Sequence, residues 1–317
     1  GCLADDMGLG KTLQVLSLIV YLKNTQKRKI NTSLIVAPTT LLFNWKEEVD
    51  KFCPELSVKI HWGPNRIPST EDWKNFDIIL TSYGTLTNDI DFIRKFNFKI
   101  AVLDESQAIK NPSSLRFKAA CLVKAGLRLA LTGTPIENNT VELFAQMQFL
   151  NPGYLGNLNF FKKEFSNAID KGKDKKQAQQ LSKMVKPFIL RRKKEEVAKE
   201  LPEKTEMLLY CEMDEQQQNV YEYFKEEIRK NLLEKIDEQG MDKARFNILE
   251  GLLKLRQICD SPALLNAKED YGNNSVKAEE VIRNISEKTG KHKVLVFSQF
   301  IGMLSLIRKK LEKHNIF

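Results

Sequence analysis

Four uninterrupted aliphatic runs constrain this chain more than any other feature. "SLIVAP" (Ser33–Pro38), "FDIILTSY" (Phe76–Tyr83), "KIAVLDE" (Lys99–Glu105) and "LRLALTGTP" (Leu127–Pro135) each gather apolar residues without alternation and then end in a polar cluster. A strand with one face in water alternates apolar with polar, whereas a strand covered on both faces does not. The runs therefore predict an α/β fold, with a parallel sheet held between layers of helices. Helical patterns fall among them, at Thr12–Lys23, Thr40–Phe52, Ser113–Lys124 and Val141–Leu150. Sheets of this kind bind ligands at the carboxyl ends of their strands, so the four polar clusters should meet along one rim.

The chain opens on "GCLADDMGLGKT". Its last eight residues depart from the general phosphate-loop pattern GxxxxGK[ST] at the first glycine, where Asp5 stands. The working parts remain. Gly8 and Gly10 let the backbone curl so that its N–H groups point inward, around Met7 and Leu9. Lys11 is placed to reach the β- and γ-phosphates, and Thr12 to offer a hydroxyl to Mg²⁺. A helix beginning there turns its positive end to the anion. Asp5 and Asp6 need not repel a nucleotide if their side chains point away.

"AVLDES" sets Asp104 and Glu105 at the tip of the third run. ATP hydrolysis needs one carboxylate to hold Mg²⁺ and a second to orient the attacking water. Asp104 suits the first task and Glu105 the second. Neighbouring strand residues point to opposite faces, so the strand must end there for both to serve.

Composition narrows the partners. The 317 residues are 42% hydrophobic, enough for two globular domains, and carry a formal charge of +9. That surplus favours an anionic partner such as nucleic acid without requiring one. Five scattered cysteines with no CxxC, and three dispersed histidines, point to reduced thiols and packed or solvated imidazoles. A structural metal is not expected. The longest apolar run, Leu13–Leu22, is too short to span a bilayer, so no membrane partner is expected.

Beyond "NPGYLG" (Asn151–Gly156), Asn159–Lys186 reads as polar and helical, with "KGKDKKQAQQ" a solvated face or loop. Long helices are predicted at Glu215–Glu238 and Asp242–Cys259, and a further strand at "KVLVFSQF", Lys293–Phe300. "LLKLRQICDSP" (Leu252–Pro262) has helical apolar spacing and is read mainly as core.

In order along the chain stand "LADDMGLGKT", "LIVAPTTLLFNWKEEVDKF", "ILTSYGTL", "VLDESQAIKN", "LALTGTPIENN", "FILRRKKEEVAKELPEKTE", "LLKLRQICDSPALL" and "KVLVFSQF". Together these resemble the Swi/Snf-type ATPases of helicase superfamily two, DNA-dependent translocases with two RecA-like lobes. The resemblance implies a first ATP-binding lobe over 1–152, a helical protrusion and basic crossover over 153–204, and a partial second lobe with a helical insertion over 205–317. It implies ATP and Mg²⁺ as cofactors, with Met7, Gly8, Leu9, Gly10, Lys11 and Thr12 around the nucleotide. Thr12 and Asp104 would hold the metal, and Lys11, Asp104, Glu105 and Gln107 would act in catalysis. Thr132, Gly133, Thr134 and Pro135 match the segment that couples hydrolysis to DNA movement.

For duplex DNA, bound without regard to sequence, the resemblance offers Pro38, Thr39, Thr40, Thr81, Ser82, Tyr83, Arg191, Arg192, Ser298 and Gln299. Taken alone, the hydroxyl clusters are equally compatible with ordinary strand capping, and the basic block with a solvated helix start. A DNA-bound protein target is a further implied partner. Short inserts between motifs resemble compact bacterial forms, implying a cytoplasmic protein associated with the nucleoid, or a nuclear one if the source is eukaryotic. Two rival readings stay open: an unwinding RNA or DNA helicase, and a nucleotide-binding DNA scaffold without turnover. The family's late arginine finger has no match after Phe300, and the strand feeding the phosphate loop begins at Gly1. The expectation is therefore an incomplete core with a truncated second lobe and poor hydrolysis of its own.

Overall fold

The computed structural model describes residues 1–25, 32–133, 139–172, 174–200, 202, 204–239, 241–265, 271–272, 274–288, 290 and 292–314, without the side chains of 233–245. The chain divides into two compact units, Gly1–Glu203 and Lys204–Phe317.

The first unit is built on seven strands: β1 (Cys2–Leu3), β2 (Ser33–Ala37), β3 (Val58–His61), β4 (Ile78–Ser82), β5 (Asn97–Leu103), β6 (Lys124–Leu131) and β7 (Ile189–Leu190). They pair in the order β3-β4-β2-β5-β6-β1-β7, and every pairing is parallel. This is the layered sheet that the aliphatic runs predict, and the kind of lobe that the resemblance implies. The physical cause is visible in β2. Leu34 and Val36 join one hydrophobic cluster, while Ile35 and Ala37 join another on the opposite face. With both faces dry, Leu34–Ala37 carry only apolar side chains, and the one polar residue, Ser33, sits at the start of the strand.

Helices α1 (Lys11–Thr25) and α2 (Leu42–Phe52) cover the second face through Val15, Leu16, Ile19, Trp45 and Val49. Over the first face lie α3 (Tyr83–Asn88), α4 (Ile90–Ile93), α5 (Leu115–Leu122) and α6 (Thr140–Leu150), contributing Leu86, Ile93, Phe117, Leu143 and Phe144. Three of these helices start on a side-chain cap, from Ser82, Ser114 and Asn139, which satisfies otherwise orphaned N–H groups. The stretch predicted as helical over Asn159–Lys186 is α7 (Leu158–Phe161), a π-helical segment (Lys162–Lys171) and α8 (Lys175–Val185). A short α9 (Lys194–Val197) follows β7.

The second unit is helical: α10 (Glu215–Gln239), α11 (Met241–Asp260), α12 (Val276–Lys288) and α13 (Ile301–Lys313). Two expectations are corrected here. Lys293–Phe300 forms no strand, and Leu295 and Phe297 are exposed. An aliphatic run becomes a strand only where a neighbouring backbone edge receives its N–H and C=O groups, and no strand lies in this unit among the described residues. The stretch Leu252–Pro262 is the end of α11, which stops at Asp260, and it buries Ile258 while exposing Leu252 and Leu253, so it is core on one side only.

Candidate active site

Because all seven strands run in parallel, the polar clusters at their carboxyl ends lie along one edge. The phosphate-loop sequence follows β1 there. Gly8 (φ 85°) and Gly10 (φ 73°) occupy the left-handed region that side chains disfavour. Nothing lies within 4 Å of where a Gly10 Cβ would stand, so the turn is open on that side. Helix α1 starts at Lys11, and its first turn directs free backbone N–H groups at the same space. The Lys11 ammonium donates to the carbonyls of Asp5 (2.7 Å) and Asp6 (3.3 Å). Thr12 is half-buried at the start of the helix, and Met7 is exposed.

The acidic pair follows β5. That strand ends at Leu103, and Glu105 (φ 48°) is the one non-glycine residue with positive φ among those described. This kink frees the two carboxylates from the strict up-and-down alternation of a strand, and such strained backbone clusters at functional sites. Asp104 is tightly held. Its Oδ2 accepts the indole N–H of Trp45 (2.8 Å), its Oδ1 accepts the Glu105 amide (2.9 Å), and its carbonyl accepts the Tyr83 hydroxyl (2.7 Å). Burial pushes the Asp104 carboxyl above the ordinary range. Trp45 opposes the rise, the Glu105 charge adds to it and the Lys11 charge counters it. The Lys11 charge, distant in sequence, thus acts on Asp104 across the rim.

A hydrogen-bonded relay runs from this pair to the neighbouring strands. Gln107 Nε2 donates to Glu105 Oε2 (2.7 Å), and Thr132 Oγ1 donates to Gln107 Oε1 (3.2 Å). The Thr132 amide in turn donates to the Leu3 carbonyl on β1 (3.1 Å). Gly133 comes within 3.7 Å of the Met7 side chain, measured from where its Cβ would be. The segment after β6 therefore reaches Glu105 through Gln107 and lies beside Met7 on the phosphate-loop side. Thr134 and Pro135 lie outside the described residues.

The residues fit Mg·ATP on structural grounds: an open glycine turn at a helix start, an ammonium beside it, and a restrained carboxylate within electrostatic reach. Asp104, Glu105, Gln107 and Thr132 are joined by hydrogen bonds, the Lys11 charge acts on Asp104, and Thr12 follows Lys11 in the first turn of α1. Asp5 and Asp6 point away from the turn. Burial alone would raise the Asp5 carboxyl, but hydrogen bonds from Arg192 outweigh it and hold the group below the usual range.

The residues named for DNA are scattered in their placement. Thr39 and Thr40 are exposed at the end of β2, with Pro38 half-buried beside them. Thr81, Ser82 and Tyr83 are buried instead. Thr81 donates to the His61 carbonyl (2.9 Å), Ser82 accepts the Thr85 amide (3.1 Å) to cap α3, and Tyr83 reaches Asp104. Their hydroxyls are committed inside the protein. Arg191 is exposed, whereas Arg192 is turned onto Asp5 and Gln14. In the second unit Ser298 accepts the Phe300 amide (3.2 Å), and Gln299 accepts from Arg256. Trp45 and Arg192 are the parts of the site that sequence reasoning missed. No local spacing signals either contact, because each partner arrives from another element.

Among the described residues no group of three or more His, Cys, Asp or Glu is placed to hold a metal by itself. All five cysteines are unpaired. His61 is buried against Asp89 (2.8 Å), where burial lowers its pKa more than the carboxylate raises it.

Comparison with known proteins adds the following. A family model described as the SNF2-related domain matches residues 1–264. An uncharacterized ATP-dependent helicase of Mycoplasma pneumoniae is 39% identical over 327 residues, covering 100% of this chain and 30% of its own. YwqA of Bacillus subtilis is 37% identical over 98% of this chain and 34% of its own length. The chain thus spans about a third of these relatives. Among solved structures, the Sulfolobus solfataricus SWI2/SNF2 ATPase core in complex with dsDNA is 38% identical, with a TM-score of 0.60, over 99% of this chain and 65% of that one.

Proposed function

This chain belongs to the SNF2-related domain family, and we propose that it binds Mg·ATP as part of a motor that hydrolyses ATP to move along duplex DNA. One observation carries the reading. The open glycine turn with Lys11 stands at the same sheet edge as the restrained Asp104–Glu105 pair, and Lys11 is felt by Asp104.

In this reading Lys11 leaves the Asp5 and Asp6 carbonyls and neutralises the β- and γ-phosphate oxygens. Thr12 and Asp104 would hold Mg²⁺, which would supply electrostatic polarisation of the transferred phosphoryl group. Trp45 keeps the Asp104 carboxylate in one orientation. Glu105 orients the attacking water and accepts its proton, and Gln107 fixes the Glu105 side chain through their hydrogen bond. Thr132 and Gly133, followed by Thr134 and Pro135, would carry the change at Glu105 to the rest of the first unit.

Duplex DNA is bound through its phosphates, which explains why hydroxyls and backbone amides suffice. Thr39, Thr40 and Arg191 are the exposed candidates of the first unit; in the second, Gln299 is exposed and Ser298 half-buried. Residues 1–152 serve as the first ATP-binding lobe, 153–204 as protrusion and crossover, and 205–317 as part of a second lobe. The target displaced by such a motor would be a DNA-bound protein, in whatever compartment holds the DNA. No helix among the described residues is long and apolar enough to cross a membrane.

Equilibrium binding of a fluorescent ATP analogue with Mg²⁺ tests the first half. Lys11→Ala should weaken binding at least tenfold, on the order of one lost charge-assisted contact. Binding to two duplexes of unrelated sequence, titrated with salt, tests the second half. Equal affinities with a steep inverse salt dependence are expected. Nucleotide binding indifferent to Lys11, or a strong preference for one duplex, refutes the proposal.

A further inference from the structure

We propose that Arg192 is a positioning residue for the nucleotide: through its pair with Asp5, the crossover strand sets the shape of the phosphate loop. The inference rests on the nucleotide reading above and assigns Arg192 a task other than holding DNA.

The sheet does not stop where β1 and β7 stop. Their ladder pairs Cys2 with Ile189 and Leu3 with Leu190. It continues through Ala4 N to the Leu190 carbonyl (2.7 Å) and Asp6 N to the Arg192 carbonyl (3.1 Å). Two side chains of the loop then take backbone amides from the crossover. Asp5 Oδ1 accepts Arg192 N, and Asp6 Oδ2 accepts Lys194 N, both at 2.9 Å. The front half of the phosphate loop is thus an edge of the sheet, held by a segment 187 residues downstream.

Arg192 closes this arrangement. Asp5 is fully buried, and an ionised carboxylate there requires a charged, hydrogen-bonded partner. The Arg192 Nε lies 3.2 and 3.1 Å from the two Asp5 oxygens, and its Nη2 donates to Oδ2 as well. The same Nη2 reaches Gln14 Oε1 at 2.7 Å, in the first turn of α1. One planar guanidinium therefore joins the residue before the glycine turn to a residue after it. A lysine, with a single ammonium, has no such fork.

The consequence falls on Lys11. Its ammonium rests on the carbonyls of Asp5 and Asp6, the two residues whose side chains the crossover holds. Displacing Arg192 moves the seat of Lys11 and the direction of the amides that follow. The Lys194 ammonium adds to the restraint, standing 3.6 Å from where a Gly8 Cβ would be.

The test uses the chain itself, with a fluorescent ATP analogue and Mg²⁺, well below each variant's melting temperature. Arg192→Gln and Asp5→Asn should each weaken nucleotide binding about tenfold, as expected if the competent loop falls to roughly a tenth of the population. Arg192→Lys should fall between. The double variant Asp5→Asn/Arg192→Gln should be no weaker than the weaker single, since both remove one pair. Hydrogen exchange at residues 5–11 should quicken in the variants and slow on adding nucleotide. Should Arg192→Gln fail to fold, Arg192→Lys and Asp5→Asn carry the same comparison.

A lowered melting temperature with wild-type nucleotide affinity would overturn the inference, leaving Arg192 a purely structural residue. So would wild-type nucleotide affinity combined with a salt slope for DNA reduced by about one, the mark of a lost phosphate contact. A wild-type chain that binds no nucleotide refutes the function proposed above, a separate outcome from equal binding by wild type and Arg192→Gln.

Discussion

Replacing Trp45 with Phe removes one hydrogen bond from the best-restrained carboxylate of the site. Trp45 is 2% exposed and its indole N–H lies 2.8 Å from Asp104 Oδ2. A hydrogen bond to a charged acceptor contributes about 1.5–3 kcal/mol, against about 0.5–1.5 kcal/mol to a neutral one. The smaller ring also leaves a void costing on the order of 1 kcal/mol, whatever the pH. The two costs separate by titration. Burial raises the folded-state pKa of Asp104, so between the unfolded and folded values the native state binds more protons, and stability from this group falls as pH rises. Losing the Trp45 donor raises the folded value further and steepens that fall. The stability gap between wild type and Trp45→Phe should therefore widen by about 1–2 kcal/mol from mildly acidic to mildly alkaline pH. Urea unfolding followed by far-ultraviolet circular dichroism reads it. A gap of the same size at both ends would mean that the variant suffers only from its void, and the role assigned to the indole N–H would be lost.

Three further outcomes are expected. Glu105→Gln should bind Mg·ATP with near wild-type affinity but lower DNA-stimulated phosphate release by about 10²-fold or more, since an amide cannot take the proton of the attacking water. Unchanged release removes Glu105 from that role. Asp89 accepts from Arg66 and His61; burial would raise its carboxyl, but these bonds hold it below the ordinary range. Its stabilisation is present above the unfolded pKa and lost as pH falls through the lower folded one. Asp89→Asn should therefore cost about 1.5–3 kcal/mol near neutrality and flatten the acid limb of the stability curve, which denaturation at graded pH will show. In the second unit a Gly251 Cβ would stand 2.6 Å from Ile228 Cγ2 on the facing helix. Overpacking of about 1–3 kcal/mol should outweigh the roughly 1 kcal/mol that alanine gains in helix propensity, so Gly251→Ala should lower the thermal midpoint; a rise would show that α10 and α11 do not pack this closely.

What the sequence determined by itself is local. Four aliphatic runs became β2, β4, β5 and β6, because a run without polar positions has no stable place except between two dry layers. Gly8 and Gly10 took the left-handed turn that only they adopt freely, and the strand before Asp104 ended where two adjacent carboxylates required it. Only tertiary structure decided the rest. The two-residue strands β1 and β7 carry no periodicity to read, and their pairing joins residues at opposite ends of the first unit. Thr81, Ser82 and Tyr83 have the composition of a phosphate contact, yet neighbouring elements reached them first and buried their hydroxyls. Lys293–Phe300 has the composition of a strand and no edge to pair with among the described residues. Arg192 looks like its exposed neighbour Arg191 until Asp5 arrives from the far end of the chain. Backbone preference acts over a few residues and is written in them; the choice of partner for a hydroxyl, a guanidinium or a strand edge depends on what the folded chain brings within about 3 Å, the reach of a hydrogen bond.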